Sequence, residues 1–227
     1  MKIIYRISDA GYKKEKPEYI ANEKCLANAT KVFKDADWLV IADNCSDETI
    51  SMIKKYQINI QSVSVGHGAG TFNLALDEAL KYNDDDIVYF IENDYLHKPE
   101  SQKVLEEGFN LGASFVSLYD HPDKYQDPST GGNPYCVGGA EDTRVYLTKS
   151  CHWKITNSTT MTFAAKVSTL KRTEKTLRKY TSGTHPDDFK MFLDLRNQGE
   201  LLITPLPGYS THGETRWLSP LTKWENI

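Results

Sequence analysis

Glu92 and Asp94 flank Asn93 directly after an apolar run, Ile87–Ile91. Two acids at i and i+2 past the end of a strand present oxygen ligands to whatever opens beyond it. Hard divalent cations such as Mn²⁺ or Mg²⁺ take such ligands and leave room for water or phosphate oxygens. A metal held there would neutralise the charge that develops on a diphosphate leaving group. The plainer reading of so short a motif is an acidic turn. His212, within Ser210-Thr211-His212-Gly213-Glu214, offers a third ligand or a phosphate contact, with a surface histidine as the other reading.

Three further groups bear chemistry. Asp43 ends an apolar segment and can accept hydrogen bonds from a base or ribose, although Asp43-Asn44-Cys45-Ser46-Asp47 also reads as a helix cap. Gly66, Gly68 and Gly70 open a helical pattern and allow backbone to approach a ligand; a tight turn explains them equally well. No Gly-Lys-Ser/Thr follows, so this is not a P-loop. Asp187 and Asp188 start another helix. Acids there complement the helix dipole, or one of them takes the proton of an attacking acceptor hydroxyl.

The elements that must position these groups alternate. Lys2–Ile7, Trp38–Ala42, Ile58–Val65, Ile87–Ile91 and Ala113–Leu118 read as strands. Helical patterns separate them over Glu18–Phe33, from Asp47 to about Tyr56, and from Gly70 on, where Phe72, Ala75, Leu76, Ala79 and Leu80 fall on one face. Pro99 reads as opening a fourth helix. Such alternation predicts an α/β fold with a mostly parallel sheet flanked by helices, whose ligands bind at the carboxyl ends of the strands. Asp9, Asp43, the Gly66–Gly70 loop and Glu92–Asp94 all sit at such ends. Beyond residue 120 the pattern changes. Asp120–Asp142 reads as a long loop, Arg144–Leu147 and Thr159–Phe163 as strands, Lys166–Tyr180 as a helix, Pro186–Arg196 as a helix with Pro186 first, and Leu201–Thr204 as a last strand before a polar, aromatic tail. The expected organisation is one domain over 1–227, with a nucleotide-binding half at 1–119 and a smaller acceptor and catalytic-base half at 120–227.

The chain has 227 residues, a formal net charge of −4 and no long basic run, which argues against a nucleic-acid binder. The mild basic cluster from Lys166 to Lys179 reads as a solvated face or, at most, a peripheral membrane contact. No segment is long and apolar enough to span a bilayer, and the N-terminus turns polar too quickly for a signal peptide. The four cysteines form no Cys-x-x-Cys pair, which leaves a reduced, cytoplasmic protein as the expectation.

Together these stretches resemble the GT-A-fold glycosyltransferases of family 2, bacterial and viral members especially. Ala42-Asp43-Asn44-Cys45-Ser46-Asp47-Glu48-Thr49 is similar to the family's Asp-Asp-Gly-Ser-x-Asp-x-Thr, which puts Asp43 on its base-binding aspartate. Phe90-Ile91-Glu92-Asn93-Asp94 followed by Pro99 is similar to its Asp-x-Asp layout, with Asp94 as metal ligand and Glu92 in place of the first acid. Asp187-Asp188-Phe189-Lys190-Met191-Phe192 resembles the helix that carries its catalytic base, Asp188 being the better match. Gly68-Ala69-Gly70-Thr71-Phe72-Asn73 resembles a helix start where the family often has Ala-Arg-Asn, but the Arg is missing. The family's Pro-Thr-Tyr-Asn after the first strand is replaced by Tyr5-Arg6-Ile7-Ser8-Asp9.

The resemblance implies an inverting, metal-dependent transferase that uses a nucleotide-sugar donor, a UDP-sugar foremost, and a glycan, lipid-linked or protein acceptor. Arg6, Ser8, Asp9, Asp43, Asn44, Gly68, Asn73 and Asn93 are then expected on the nucleotide. Asp94, Glu92 and His212 are expected on Mn²⁺ or Mg²⁺, and Asp188, with Asp187 beside it, at the acceptor hydroxyl. The Asp120–Asp142 loop, Trp153 and the Trp217–Trp224 tail are expected to shape the acceptor side. Two other classes stay open: a sugar-phosphate nucleotidyltransferase, of whose basic loop Asp9-Ala10-Gly11-Tyr12-Lys13-Lys14 is a faint echo, and a non-catalytic carbohydrate-binding domain.

Overall fold

The computed structural model describes residues 1–10 and 14–227. Gly11-Tyr12-Lys13, part of the segment compared with a nucleotidyltransferase's basic loop, lies outside the described residues.

The chain begins β1 (Lys2–Ser8), α1 (Asn22–Val32), β2 (Asp37–Asp43), α2 (Asp47–Lys54), β3 (Asn59–Val63), α3 (Gly68–Ala79), β4 (Ile87–Glu92). It continues β5 (Tyr95–His97), α4 (Ser101–Phe109), β6 (Phe115–Val116), β7 (Val145–Leu147), β8 (His152–Ile155), β9 (Phe163–Lys166), α5 (Val167–Tyr180), α6 (Asp188–Asn197), β10 (Leu202–Leu206) and β11 (Ser210–His212). Nine strands make one sheet in the order β3-β2-β1-β4-β9-β6-β10-β8-β7, and β5 pairs with β11 in a small second sheet. The β3-β2-β1-β4 portion is all parallel. β9 enters antiparallel between β4 and β6. Strand order reverses at β1, which lies between β2 and β4, and such a switch point opens a crevice at the strand ends.

The inner strands read as continuous apolar runs because helices cover both faces. Ile3, Tyr5 and Ile7 of β1 and Tyr89 and Ile91 of β4 pack with Leu26 of α1, with Phe33 just after it, and with Val104 and Leu105 of α4. Ile4, Val88 and Phe90 point the other way, against Phe72 and Leu76 of α3, Leu170 of α5 and Phe192 of α6. Period-two alternation therefore decides each residue's layer, and it places Arg6 on the α3 face at the end of β1.

Several boundaries differ from the sequence expectation. The strand expected at Thr159–Phe163 starts only at Phe163, because Thr160 (φ 47°) and Met161 (φ 60°) hold left-handed backbone that a strand excludes. Pro186 lies outside α6, whose N-cap is Asp187. The first helix starts at Asn22 rather than Glu18, after a turn in which the Ile20 amide donates to the Pro17 carbonyl. The Asp120–Asp142 segment is not structureless: three short 3-10 turns pin it, at Pro122–Tyr125, Pro128–Thr130 and Val137–Gly139. Trp153 and Trp224 are fully buried, so neither presents its ring at the surface. In the basic cluster Lys171, Arg172, Arg178 and Lys179 are all paired with acids. Among the described residues no helix is long and apolar enough to cross a membrane.

Candidate active site

A cavity of about 340 Å³ opens at the C-terminal ends of β1, β2 and β4, where the strand order reverses. Arg6, Ser8, Asp9, Asp43, Gly68, Glu92, Asn93 and Asp94, eight of the residues singled out from sequence, line it. Lys14, His67 and Thr71, which lie in stretches already singled out, join them, as do Lys16 and Asn22, which were not anticipated. The signal for the two lysines was present: Lys13-Lys14-Glu15-Lys16 is a short basic run directly after β1.

The cavity has an acidic end and a cationic end. At the acidic end Asp43 is 2% exposed, and its carboxylate accepts from the amides of Val65 at 2.6 Å and Gly66 at 2.9 Å. The cap of α2 is instead Ser46, whose hydroxyl accepts from the Thr49 amide at 3.2 Å. Asp9 supports that turn from outside, accepting from the Ser46 amide at 2.7 Å and the Thr49 hydroxyl at 2.9 Å. Burial opposes charge on Asp9, but these hydrogen bonds hold its carboxyl below its ordinary range. Asn44, left-handed at φ 49°, donates to Asp43 and accepts from Ser64, so it braces the loop. Asn93 donates to Asn22, which in turn donates to Asp9.

Arg6 forms the floor and is 4% exposed. Its guanidinium donates to the Gly68 carbonyl at 3.1 Å, to Glu92 at 2.9 Å and to the Met161 carbonyl at 3.2 Å, joining β1, β4, α3 and the Thr159–Met161 turn. Glu92 is thereby turned onto Arg6. The start of α3 is also engaged: the Gly70 amide donates to His67 Nδ1 at 3.0 Å and the Ala69 amide to the Thr184 carbonyl at 3.3 Å. Gly70 is required there, since a Cβ would stand 2.3 Å from Val65 Cγ1. Asn73 faces away from the cavity and bonds Thr181 at the end of α5.

At the cationic end, Asp94 Oδ2 lies 3.0 Å from Lys16 Nζ, 3.5 Å from Lys14 Nζ and 3.4 Å from His212 Nε2. His212 is far away in sequence. The β5–β11 ladder brings it in by pairing His212 with Tyr95, the neighbour of Asp94. Gly213 permits the approach, because a Cβ there would meet the Asp94 carbonyl at 2.7 Å. Burial raises the Asp94 carboxyl, but His212, Lys14 and Lys16 outweigh it and hold the group well below the usual carboxylate range.

Asp187 and Asp188 do not line this cavity. Asp187 caps α6, accepting from the Lys190 amide at 3.1 Å and pairing with Lys190 Nζ at 2.7 Å. Asp188 Oδ2 accepts from the amides of Thr159 and Thr160, both at 2.7 Å. Those residues precede the Met161 carbonyl that meets Arg6, so Asp188 borders the site through this left-handed turn.

A divalent cation is compatible with part of the expected ligand set. Asp94 and His212 converge, and Lys14 Nζ stands 2.9 Å from His212 Nε2. In the neutral tautomer that accepts from Lys14, His212 Nε2 carries a lone pair that a cation could take instead. Among the described residues no group of three or more His, Cys, Asp or Glu converges. The fit is therefore to a metal that takes two protein ligands and completes its shell with phosphate oxygens and water.

No protein-family model matches the chain. No curated protein matches its sequence. Solved structures do resemble it. GalNAc-T7 with UDP, GalNAc and Mn²⁺ superposes with a TM-score of 0.63 at 10% identity, over 96% of this chain and 44% of that one. Residues 1–349 of S. aureus TarS in complex with UDP give 0.55 at 12% identity, over 92% and 59%. A CMP:2-keto-3-deoxy-manno-octonic acid synthetase complexed with CTP gives 0.50 at 13% identity, over 89% and 87%. The chain spans about half the length of the first two structures. With its β3-β2-β1-β4 parallel core, the antiparallel β9 and a cavity at the β1 switch point, the chain has the α/β GT-A fold.

Proposed function

We propose that this protein is a glycosyltransferase that takes a sugar from a nucleotide-sugar donor, a UDP-sugar first among them, and passes it to a glycan, lipid-linked or protein acceptor with inversion. The observation that carries the reading is the polarity of the cavity. Carboxylates and amides at Asp9, Asp43 and Asn93 suit the hydroxyls and base edge of a nucleoside, and Lys14 and Lys16 suit a diphosphate. Asp94 and His212 would hold Mn²⁺ or Mg²⁺ beside that diphosphate. When bound, such an ion neutralises the charge that develops as the nucleoside diphosphate leaves.

The remaining roles belong to side chains. Arg6 keeps β1, β4 and the Thr159–Met161 turn in register under the donor. Asp188, with Oδ2 engaged on two amides, takes the acceptor hydroxyl proton on its other oxygen as that hydroxyl attacks the anomeric carbon. GT-A structures containing UDP, and in one case Mn²⁺, support the donor class.

The test is a thermal-shift screen of nucleoside diphosphates and nucleotide-sugars, each with Mn²⁺ and with chelator. A ligand of the native state raises its stability by mass action, about 2.7 kcal/mol at a hundred times its Kd. A shift with one nucleotide identifies the donor base. The absence of a shift with every nucleotide sinks the proposal.

One observation favours a second reading. Lys14 and Lys16 follow β1 and line the cavity, where a sugar-phosphate nucleotidyltransferase needs basic groups for a nucleoside triphosphate. The CTP-bound synthetase shares the fold. Pyrophosphate release from a nucleoside triphosphate and a sugar phosphate would identify that class.

A further inference from the structure

Lys14 and Lys16 come from the segment after β1, yet both ammonium groups converge on Asp94 at the far side of the cavity. Asp94 is 7% exposed in its side chain, and His212 is 4% exposed. The lysines are 26% and 30% exposed, so they reach in from the cavity mouth rather than from the core. They lie where a cation bound by Asp94 and His212 would lie. Lys14 Nζ is within hydrogen-bond distance of both protein ligands, 3.5 Å from Asp94 Oδ2 and 2.9 Å from His212 Nε2. Two ammonium groups and a divalent ion cannot share one carboxylate oxygen at this range without strong repulsion.

We propose that Lys14 and Lys16 are exchangeable counter-ions. They neutralise Asp94 while the site is empty of donor, and they turn onto the diphosphate when a divalent cation takes Asp94 and His212. The exchange needs only rotation of two partly exposed side chains, whose long stems have many rotamers. Its consequence is coupled binding. The cation alone must displace the lysines with nothing to receive them. The cation with a diphosphate displaces them onto a better partner, since phosphate oxygens accept ammonium hydrogen bonds strongly. Metal and nucleotide therefore each strengthen the other's binding, as linkage requires. Lys14 and Lys16 thereby become donor-binding residues.

This inference rests on the nucleotide-sugar reading, and its test separates the two. Mn²⁺ binding is measured by titration with detection of free ion by electron paramagnetic resonance, without nucleotide, for the wild type and for Lys14→Met/Lys16→Met. UDP binding is measured by calorimetry for both proteins in saturating Mn²⁺. The double variant is expected to bind Mn²⁺ alone at least roughly tenfold more tightly and to bind UDP at least roughly tenfold more weakly. Adding Asp94→Asn should abolish the gained Mn²⁺ affinity. Mn²⁺ affinity that stays the same or falls in the double variant overturns the exchange, as does unchanged UDP affinity. If the wild type binds neither UDP nor any other nucleotide, the glycosyltransferase reading fails with it. A gained Mn²⁺ affinity in that case would still place the lysines on the Asp94–His212 pair.

Discussion

The Gly66 amide donates to Oδ2 of Asp43 at 2.9 Å, while the neighbouring Val65 amide donates to Oδ1 at 2.6 Å. Gly66 is left-handed at φ 82°, a conformation that glycine adopts without steric cost, and the Asp43 carboxylate fixes its orientation. The end of β2 is thus tied to the loop that leads into α3, and two walls of the cavity become one. Charge-assisted bonds of this kind contribute about 1.5–3 kcal/mol each when buried. Asp43→Ala should destabilise the fold by about 2–4 kcal/mol in urea denaturation and weaken nucleotide binding at least roughly tenfold. A variant with wild-type stability would show that the loop is held by other contacts.

Much of this site was legible in the chain because strand ends are marked by their own residues. An apolar run that stops at Asp43, or at Glu92-Asn93-Asp94, states where a parallel strand ends, and the fold rule then gathers those ends into one crevice. Long-range pairing was harder to read. Tyr95–His97 and Ser210–His212 are three-residue strands, too short to carry a period, so the ladder that seats His212 beside Asp94 left almost no local trace. Glu92 resembled a metal ligand by spacing, but the sequence did not reveal that Arg6, in a different strand, engages its Oε1. Trp153 was expected to help shape the acceptor side, because an isolated aromatic does not reveal that it is buried in the core.

Asp188 offers a sharper test of catalysis than its position in the first turn of α6 suggests. Its Oδ2 is occupied by the Thr159 and Thr160 amides, so only Oδ1 is available as a base. Asp188→Asn preserves an oxygen for those amides and replaces the basic oxygen by an amide nitrogen. The expected result is a loss of about a hundredfold or more in kcat with UDP affinity unchanged. Loss of UDP affinity in parallel would mean that Asp188 serves the Thr159–Met161 turn and Arg6 instead.

Lys154, in β8, anchors the 120–142 segment that was expected to be a long loop. It is 3% exposed and pairs with Asp120 at 3.0 Å and Glu141 at 3.1 Å, the two ends of that segment. Burial lowers its basicity, but Asp120 and Glu141 outweigh burial and raise it. Removing one partner of a buried ion pair leaves uncompensated charge and costs about 3–5 kcal/mol. Lys154→Met should destabilise by that order in guanidinium denaturation, and limited proteolysis should begin within 120–142. Resistance of that segment in the variant would argue that the 3-10 turns hold it unaided.

His97 gives a pH dependence of definite sign. It is fully buried, with Tyr89 Oη 2.9 Å from its Nε2 and the rings of Phe33 and Tyr89 packed edge-on against it. Burial lowers its pKa from 6.5 to about 3, so the folded protein keeps it neutral. Below pH 6.5 the unfolded chain takes up a proton that the folded chain refuses, and the unfolded state gains as pH falls. The stabilising contribution is complete above pH 6.5 and is lost progressively on acidification toward pH 3, at roughly 1 kcal/mol per pH unit from this one group. His97→Phe removes the titration. It also strands the Tyr89 hydroxyl, so the variant should be less stable at neutral pH yet show a flatter decline in urea-derived stability between pH 6 and pH 4. Equal slopes in the two proteins would mean that His97 is protonated in the fold, and that its packing admits the charge.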